Sequence, residues 1–226
     1  MVVYFFLNND DKYVKVYGAT FQKYWRLFLI ILNIIIQLRQ QINSCIARDF
    51  SLTCLARNKF LTVQANYMII IWLILWFIWR ENKEKIDKLY GKLYGSFIVY
   101  ITLVWLAYWV LLSSGDSYSG FDGITNIVQH YFTPIVMIID WLYTERKRYE
   151  WNYYYTWSIY PTLYAISAIL NGYLGLEYGY LYGFLDPSNP GGWAMTWAYV
   201  VGVYIFYTIL AFSFIGINRK YLTNSA

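Results

Sequence analysis

Charge is scarce in this sequence: of 226 residues only 14% are Asp, Glu, Lys or Arg, while 59% are hydrophobic. A water-soluble fold of this size cannot hide that much apolar surface in one core, so the excess must face lipid. Histidine occurs once and cysteine twice. One histidine cannot supply paired axial ligands to a haem, and two cysteines without nearby histidines do not make a metal site, so no metal and no cofactor is expected. No heptad series, fixed-period repeat or low-complexity linker divides the chain, and a single domain over residues 1–226 is expected. No cleavable signal peptide is expected either. Asp10, Asp11, Lys12 and Lys15 interrupt the first stretch, and the Met1 to Leu7 run is too short to be its core, so the first membrane helix is expected to act as its own insertion signal.

What the chain does contain is aromatic residues, 23% of the total and mostly Tyr and Trp, as expected for broad contact with the headgroup zone. The formal charge of +5 does not point to nucleic acid, because the basic residues fall between apolar segments and form no stripe with interleaved stacking aromatics. Apolar runs near the ~20 residues needed to cross a hydrocarbon core occupy approximately residues 21–38, 60–79, 93–112, 124–143, 153–170 and 193–217. They are apolar on nearly all sides. An all-α bundle of about six transmembrane helices is therefore expected.

Orientation follows from Lys and Arg in alternate connections. Lys12, Lys15, Lys23 and Arg26 precede the first helix core; Arg80, Lys83, Lys85, Lys88 and Lys92 lie around the second loop; Arg146, Lys147 and Arg148 in the fourth; Arg219 and Lys220 in the tail. The other side holds only Arg39, Arg48, Arg57 and Lys59. Both termini are thus expected in the cytoplasm, with the cell membrane as the location. Asn33 and Gln37 interrupt the first span, and Lys23 and Arg26 are expected to snorkel at its cytoplasmic end. Cys45 and Cys54 share the first external loop, where a disulfide and two reduced thiols both fit.

Polar residues inside spans carry the functional reading, since each is costly in a bilayer. His130 lies in the fourth span, four residues before Pro134, whose missing N–H cannot pair with the histidine carbonyl. Asn126, one turn earlier, is placed to orient the imidazole. In the second span Thr62 occupies the first turn and Asn66 follows on the same face, with Gln64 between them. With spans two and four running the same way, Thr62 and His130 differ in depth by ~6 Å. A threonine and a histidine so placed form a nucleophile and base for attack on an ester carbonyl, and unpaired amides at the helix start are suited to an oxyanion. The bland alternatives are an N-cap threonine and a histidine satisfied within the bundle.

At these segments the chain resembles the FAR-17a/androgen-induced-gene-like family, in particular its bacterial Pr6Pr-like branch. Phe60-Leu61-Thr62-Val63-Gln64-Ala65-Asn66 is similar to that family's Phe-Thr-x-Gln-Ser-Asn element. His130-Tyr131-Phe132-Thr133-Pro134, continuing to Asp140-Trp141-Leu142, is similar to its His-x-x-x-Pro segment ending in Asp-Trp. Trp157 to Tyr164 and Phe184-Leu185-Asp186 resemble later elements, and the likeness spans roughly residues 60–217. The resemblance implies a six-span membrane threonine hydrolase that splits lipid esters such as fatty acid esters of hydroxy fatty acids (FAHFA), with Thr62 as nucleophile and His130 as base. Ala65 stands where the bacterial pattern has serine, and Gly183 where proline is common.

Asp186 lies in a Pro/Gly-rich external loop and is expected either to bind a polar lipid group or orient His130, or simply to form a turn. Asp140 is expected to pair with Arg146 or Arg148 near the cytoplasmic end. The partner is a membrane lipid substrate. A rival reading is a small transporter or sensor in which His130 relays protons, and a third is a passive scaffold.

Overall fold

The computed structural model describes residues 19–82, 89–113, 119–146 and 148–222; the early charged stretch and Lys83, Lys85, Lys88 and Lys147, used above for signal and orientation, lie outside the described residues. Six long helices follow one another with no strand among the described residues: α1 (Ala19–Ile46), α2 (Leu61–Trp79), α3 (Tyr90–Leu112), α4 (residues 120–144), α5 (Tyr153–Tyr173) and α6 (Gly192–Tyr221). Helices α1, α2, α3 and α6 are long and apolar enough to cross a membrane, which makes this an all-helical integral membrane protein. Helix α4 is diluted by Asp122, Asn126, Gln129, His130 and Asp140, and α5 by its tyrosines. Several helices outrun the apolar stretches read from the sequence, α1 most of all. Its last turns are carried by Arg39, Gln40 and Gln41, good helix formers that continue the backbone after the apolar signal has stopped.

Helix α3 is the axis of the bundle. Every residue from Gly95 to Val104 is buried, and α2, α4 and α6 all pack on it. Helix α1 lies outside, against α2. Its buried stripe contains Arg26, Leu29, Asn33, Ile36 and Gln37, while Tyr24, Phe28, Ile31, Ile35 and Leu38 face outward. This is the inverse of a soluble amphipathic helix: lipid takes the apolar face, and the polar side chains turn inward to find partners.

The aromatic residues fill the core as well as the periphery. Trp72, Trp141 and Trp157 are the largest fully buried side chains. Trp141 Nε1 donates to the Tyr149 hydroxyl at 2.7 Å, and Trp157 Nε1 to the Lys92 carbonyl at 3.0 Å. Lipid tails are as apolar as leucine, so helices associate through dispersion and hydrogen bonds, and indoles with a polar handle provide both. Gly95 is required where they crowd, since a Cβ there would come within 2.6 Å of Trp157 and 2.7 Å of the Tyr149 hydroxyl.

The expected snorkelling of Arg26 and the expected partner of Asp140 are both corrected. Arg26 and Asp140 form a salt bridge at 2.7 Å with both side chains fully buried. Tyr94 donates to the same carboxylate at 2.6 Å, Arg26 reaches the Tyr90 and Thr144 hydroxyls, and the guanidinium lies 4.4 Å from the Trp76 ring. Arginine is well suited to such a site because its planar fork satisfies both carboxylate oxygens while stacking on an aromatic face. Arg148 pairs instead with Glu145, at 2.8 Å.

Glu145, just past α4, is buried and receives the Tyr149 hydroxyl. Burial pushes its carboxyl up to about 7, against the pull of Arg148. A folded-state pKa above the unfolded value means that the folded protein binds more protons between pH 4.5 and about 7, so stability falls as pH rises through that window. Glu145→Gln is expected to flatten this slope in thermal melts between pH 5 and 8. An unchanged slope in the variant would show that another group governs it.

Candidate functional site

The chain approaches α2 through a short 3₁₀ helix, Leu52–Lys59. Cys45 and Cys54 are joined in a disulfide, and Gln41 and Ser44 of α1 donate to the Cys54 carbonyl at 3.1 and 3.0 Å. Lys59 donates to Asn171 Oδ1 of α5 at 2.7 Å. The segment before Phe60 is thereby fixed at both ends, which sets where Thr62 emerges in the first turn of α2.

Phe60, the N-cap, contributes no side-chain bond to that turn. The Tyr182 hydroxyl substitutes, accepting from the Leu61 amide at 3.0 Å and lying 3.2 Å from the Tyr164 hydroxyl. Gln64 braces the turn from inside: its Nε2 donates to the Asn58 and Lys59 carbonyls at 2.9 and 3.3 Å, and its Oε1 accepts from Tyr160 at 2.6 Å. Thr62 is half-buried and forms part of the wall of a cavity of about 110 Å³ bounded mainly by α3, α5 and α6. Leu103, Val104, Leu111 and Val203 make much of that wall apolar, and tyrosines, Tyr108 among them, supply its hydroxyls.

His130 is carried by α4 within a π-turn, Val128–Phe132, in which the Thr133 amide reaches back to the Val128 carbonyl. Pro134 follows at the start of the next α-helical segment. The wider turn absorbs a residue that cannot continue the ordinary hydrogen-bond ladder. The half-buried imidazole stacks on the Tyr108 ring, with centroids 3.7 Å apart and planes at 22°. Asn126 Nδ2 donates to the Tyr108 hydroxyl at 2.6 Å, so the asparagine expected to orient the imidazole holds the ring on which the imidazole rests.

Asn66 joins the two helices. Its Nδ2 donates to the Thr62 carbonyl at 2.8 Å and to the Gln129 carbonyl at 3.4 Å. The residue before His130 is therefore level with a point about one turn, ~5 Å, below Thr62. Tyr108 stands between Thr62 and His130: it shares the cavity wall with the threonine and carries the imidazole on its ring, while His130 is outside the lining. Tyr108 is the functional candidate that sequence reading missed. Nothing in the sequence distinguishes it among 26 tyrosines.

Asp186 takes the turn role. Its Oδ1 accepts from the Ser188 amide at 2.8 Å, and that bond holds its carboxyl below the usual carboxylate range. It borders a second, shallower hollow with Asn189 and Thr196, adjoining the first through Phe184. Among the described residues no three His, Cys, Asp or Glu side chains gather as a metal site. No family model, no curated protein and no solved structure matches this chain.

Proposed function

We propose that this protein is an intramembrane hydrolase of lipid esters, FAHFA-like esters among them, with Thr62 as nucleophile and His130 as base, in a six-span bundle with both termini in the cytoplasm and set in the cell membrane. The observation that carries the reading is the placement of the Thr62 side chain in the wall of an apolar cavity inside a membrane bundle, on a helix that Asn66 ties beside His130. The resemblance of residues 60–66 and 130–142 to the FAR-17a/androgen-induced-gene-like family supports it independently.

An acyl chain fits the apolar walls and brings its ester carbonyl to the α2 end. As the Oγ–carbonyl bond forms, His130 takes the Thr62 proton, a step that requires the Tyr108 ring between the imidazole and the cavity to swing aside. The oxyanion falls at the positive end of α2, where the Leu61 amide already serves Tyr182 and the amides of Thr62 and Val63 face the developing charge. Collapse breaks the ester C–O bond, and the imidazolium returns its proton to the departing alcohol. Before that step Tyr108 and Asn126 hold the imidazole plane. Gln64 and the tyrosine cluster hold the threonine turn.

The test is labelling of purified protein in detergent with a fluorophosphonate probe, wild type against Thr62→Ala. The expected result is an adduct on wild type alone, mapped to Thr62 by peptide mass. An adduct retained in Thr62→Ala, or none in wild type together with no fatty acid released from lipid esters, overturns the reading.

A further inference from the structure

We propose that a polar seam between α1, α2 and α4 is a buried water site and that it supplies the water that releases the acyl group from Thr62; the second part rests on the hydrolase reading. Asn33 and Gln37 of α1, Asn66 of α2, and Thr125, Gln129 and Thr133 of α4 are all between 0 and 3% exposed. Asn33 and Gln37 are one turn apart, as are Thr125 and Gln129, so each pair shares a helix face. Two bonds cross the seam: Thr133 Oγ1 donates to Asn33 Oδ1 at 3.1 Å, and Asn66 Nδ2 to the Gln129 carbonyl at 3.4 Å.

These bonds leave four polar atoms over. Gln37 Nε2, Asn66 Oδ1, Thr125 Oγ1 and Gln129 Nε2 are buried and, among the described residues, have no hydrogen-bond partner. Asn66 is held through its Nδ2, and the Gln37 Oε1 accepts from Arg57 at 3.5 Å, so neither of these two amides can flip without losing a bond. Buried polar atoms in a native fold are almost always satisfied, and ordered water is the usual partner where protein provides none. Two amide donors, one carbonyl acceptor and one hydroxyl match what water offers, since it accepts from the amides and donates to Asn66 and Thr125. A substrate headgroup would not fit, as none of the seam residues lines the acyl cavity, which is bounded mainly by α3, α5 and α6.

The seam reaches the site through adjacent residues of one π-turn. Gln129 faces the seam, and the next residue, His130, carries the imidazole on Tyr108. Arg57, half-buried on the segment before α2, binds Gln37 and Gln40 at the seam's end and forms its entrance. Ester and water thus arrive through different helix interfaces. In the second half-reaction the water oxygen attacks the acyl carbonyl as His130 takes one water proton. The carbonyl–Oγ bond then breaks, and the imidazolium returns that proton to Thr62, giving a carboxylic acid and the free hydroxyl.

The chain holds six glutamines, so selective ¹⁵N-glutamine labelling in micelles gives a spectrum that Gln37→Leu and Gln129→Leu assign. Rotating-frame Overhauser transfer from water to the Gln37 and Gln129 side-chain amides is expected in wild type despite their burial, and Gln129→Leu should weaken it at Gln37. Absence of transfer to both amides overturns the water site. The functional half is read by intact mass after mixing with a p-nitrophenyl acyl ester. Gln129→Leu is expected to raise the steady fraction of acyl-enzyme several-fold, and an acyl fraction equal to wild type overturns the supply role. No acyl-enzyme in either protein, with water transfer intact, sinks the hydrolase reading and leaves the water site standing.

Discussion

Asp140→Ala is expected to destabilise the bundle by roughly 3–5 kcal/mol, the cost of leaving one member of a buried ion pair without its partner. Arg26 is fully buried and cannot move its charge to water. After the substitution it retains the Tyr90 and Thr144 hydroxyls and the Trp76 face, all weaker than a carboxylate that meets it through two nitrogens. Tyr94 loses its acceptor as well. Because the pair joins α1 to α4 while both tyrosines belong to α3, the damage falls where three helices meet. Arg26→Met with Asp140→Leu removes both charges and refills the volume, and should recover most of the loss, since well-packed apolar replacements of buried pairs are often neutral. Unfolding free energies in mixed micelles decide it: an Asp140→Ala value within about 1 kcal/mol of wild type would show that the pair is far better solvated than its burial implies.

The ion pair also marks the boundary of what the sequence discloses. Apolar length located six helices, four of them long and apolar enough to cross a membrane, with ends close to those expected except at α1, which runs on to Ile46. Helical spacing correctly put Thr62 with Asn66 and Asn126 with His130 on shared helix faces, and the Asn66 bond to the Gln129 carbonyl sets the two helices side by side with Thr62 about one turn, ~5 Å, from the level of Gln129. Pairings between helices were not legible. Arg26 and Asp140 lie 114 positions apart, and local charge proximity suggested Arg146 and Arg148 instead. Tyr108 was invisible for the same reason. Its importance comes from what it faces across the α3–α4 contact, and a one-dimensional pattern holds no record of that. Helix ends were underestimated wherever Gln and Arg extend an apolar helix, since hydropathy and helicity end at different places.

The hydrolase and transporter readings separate most widely at the dyad. Thr62→Val keeps shape and removes only the hydroxyl, so the half-buried turn and its Tyr182 and Gln64 braces should persist. His130→Phe keeps a ring on Tyr108 and removes only the base. Each substitution is expected to lower kcat for ester hydrolysis by about 10³-fold or more, with KM little changed, because each group acts on the transition state and not on the acyl chain. The double variant should be no slower than the worse single one, since a base without its nucleophile has nothing left to activate. If His130 instead relays protons, Thr62→Val should retain function within about tenfold while His130→Phe does not. Losses that multiply in the double variant would likewise mean that the two residues act apart. The Asn66 tie between α2 and α4 argues for one unit, because it fixes the threonine and the histidine in a single rigid frame.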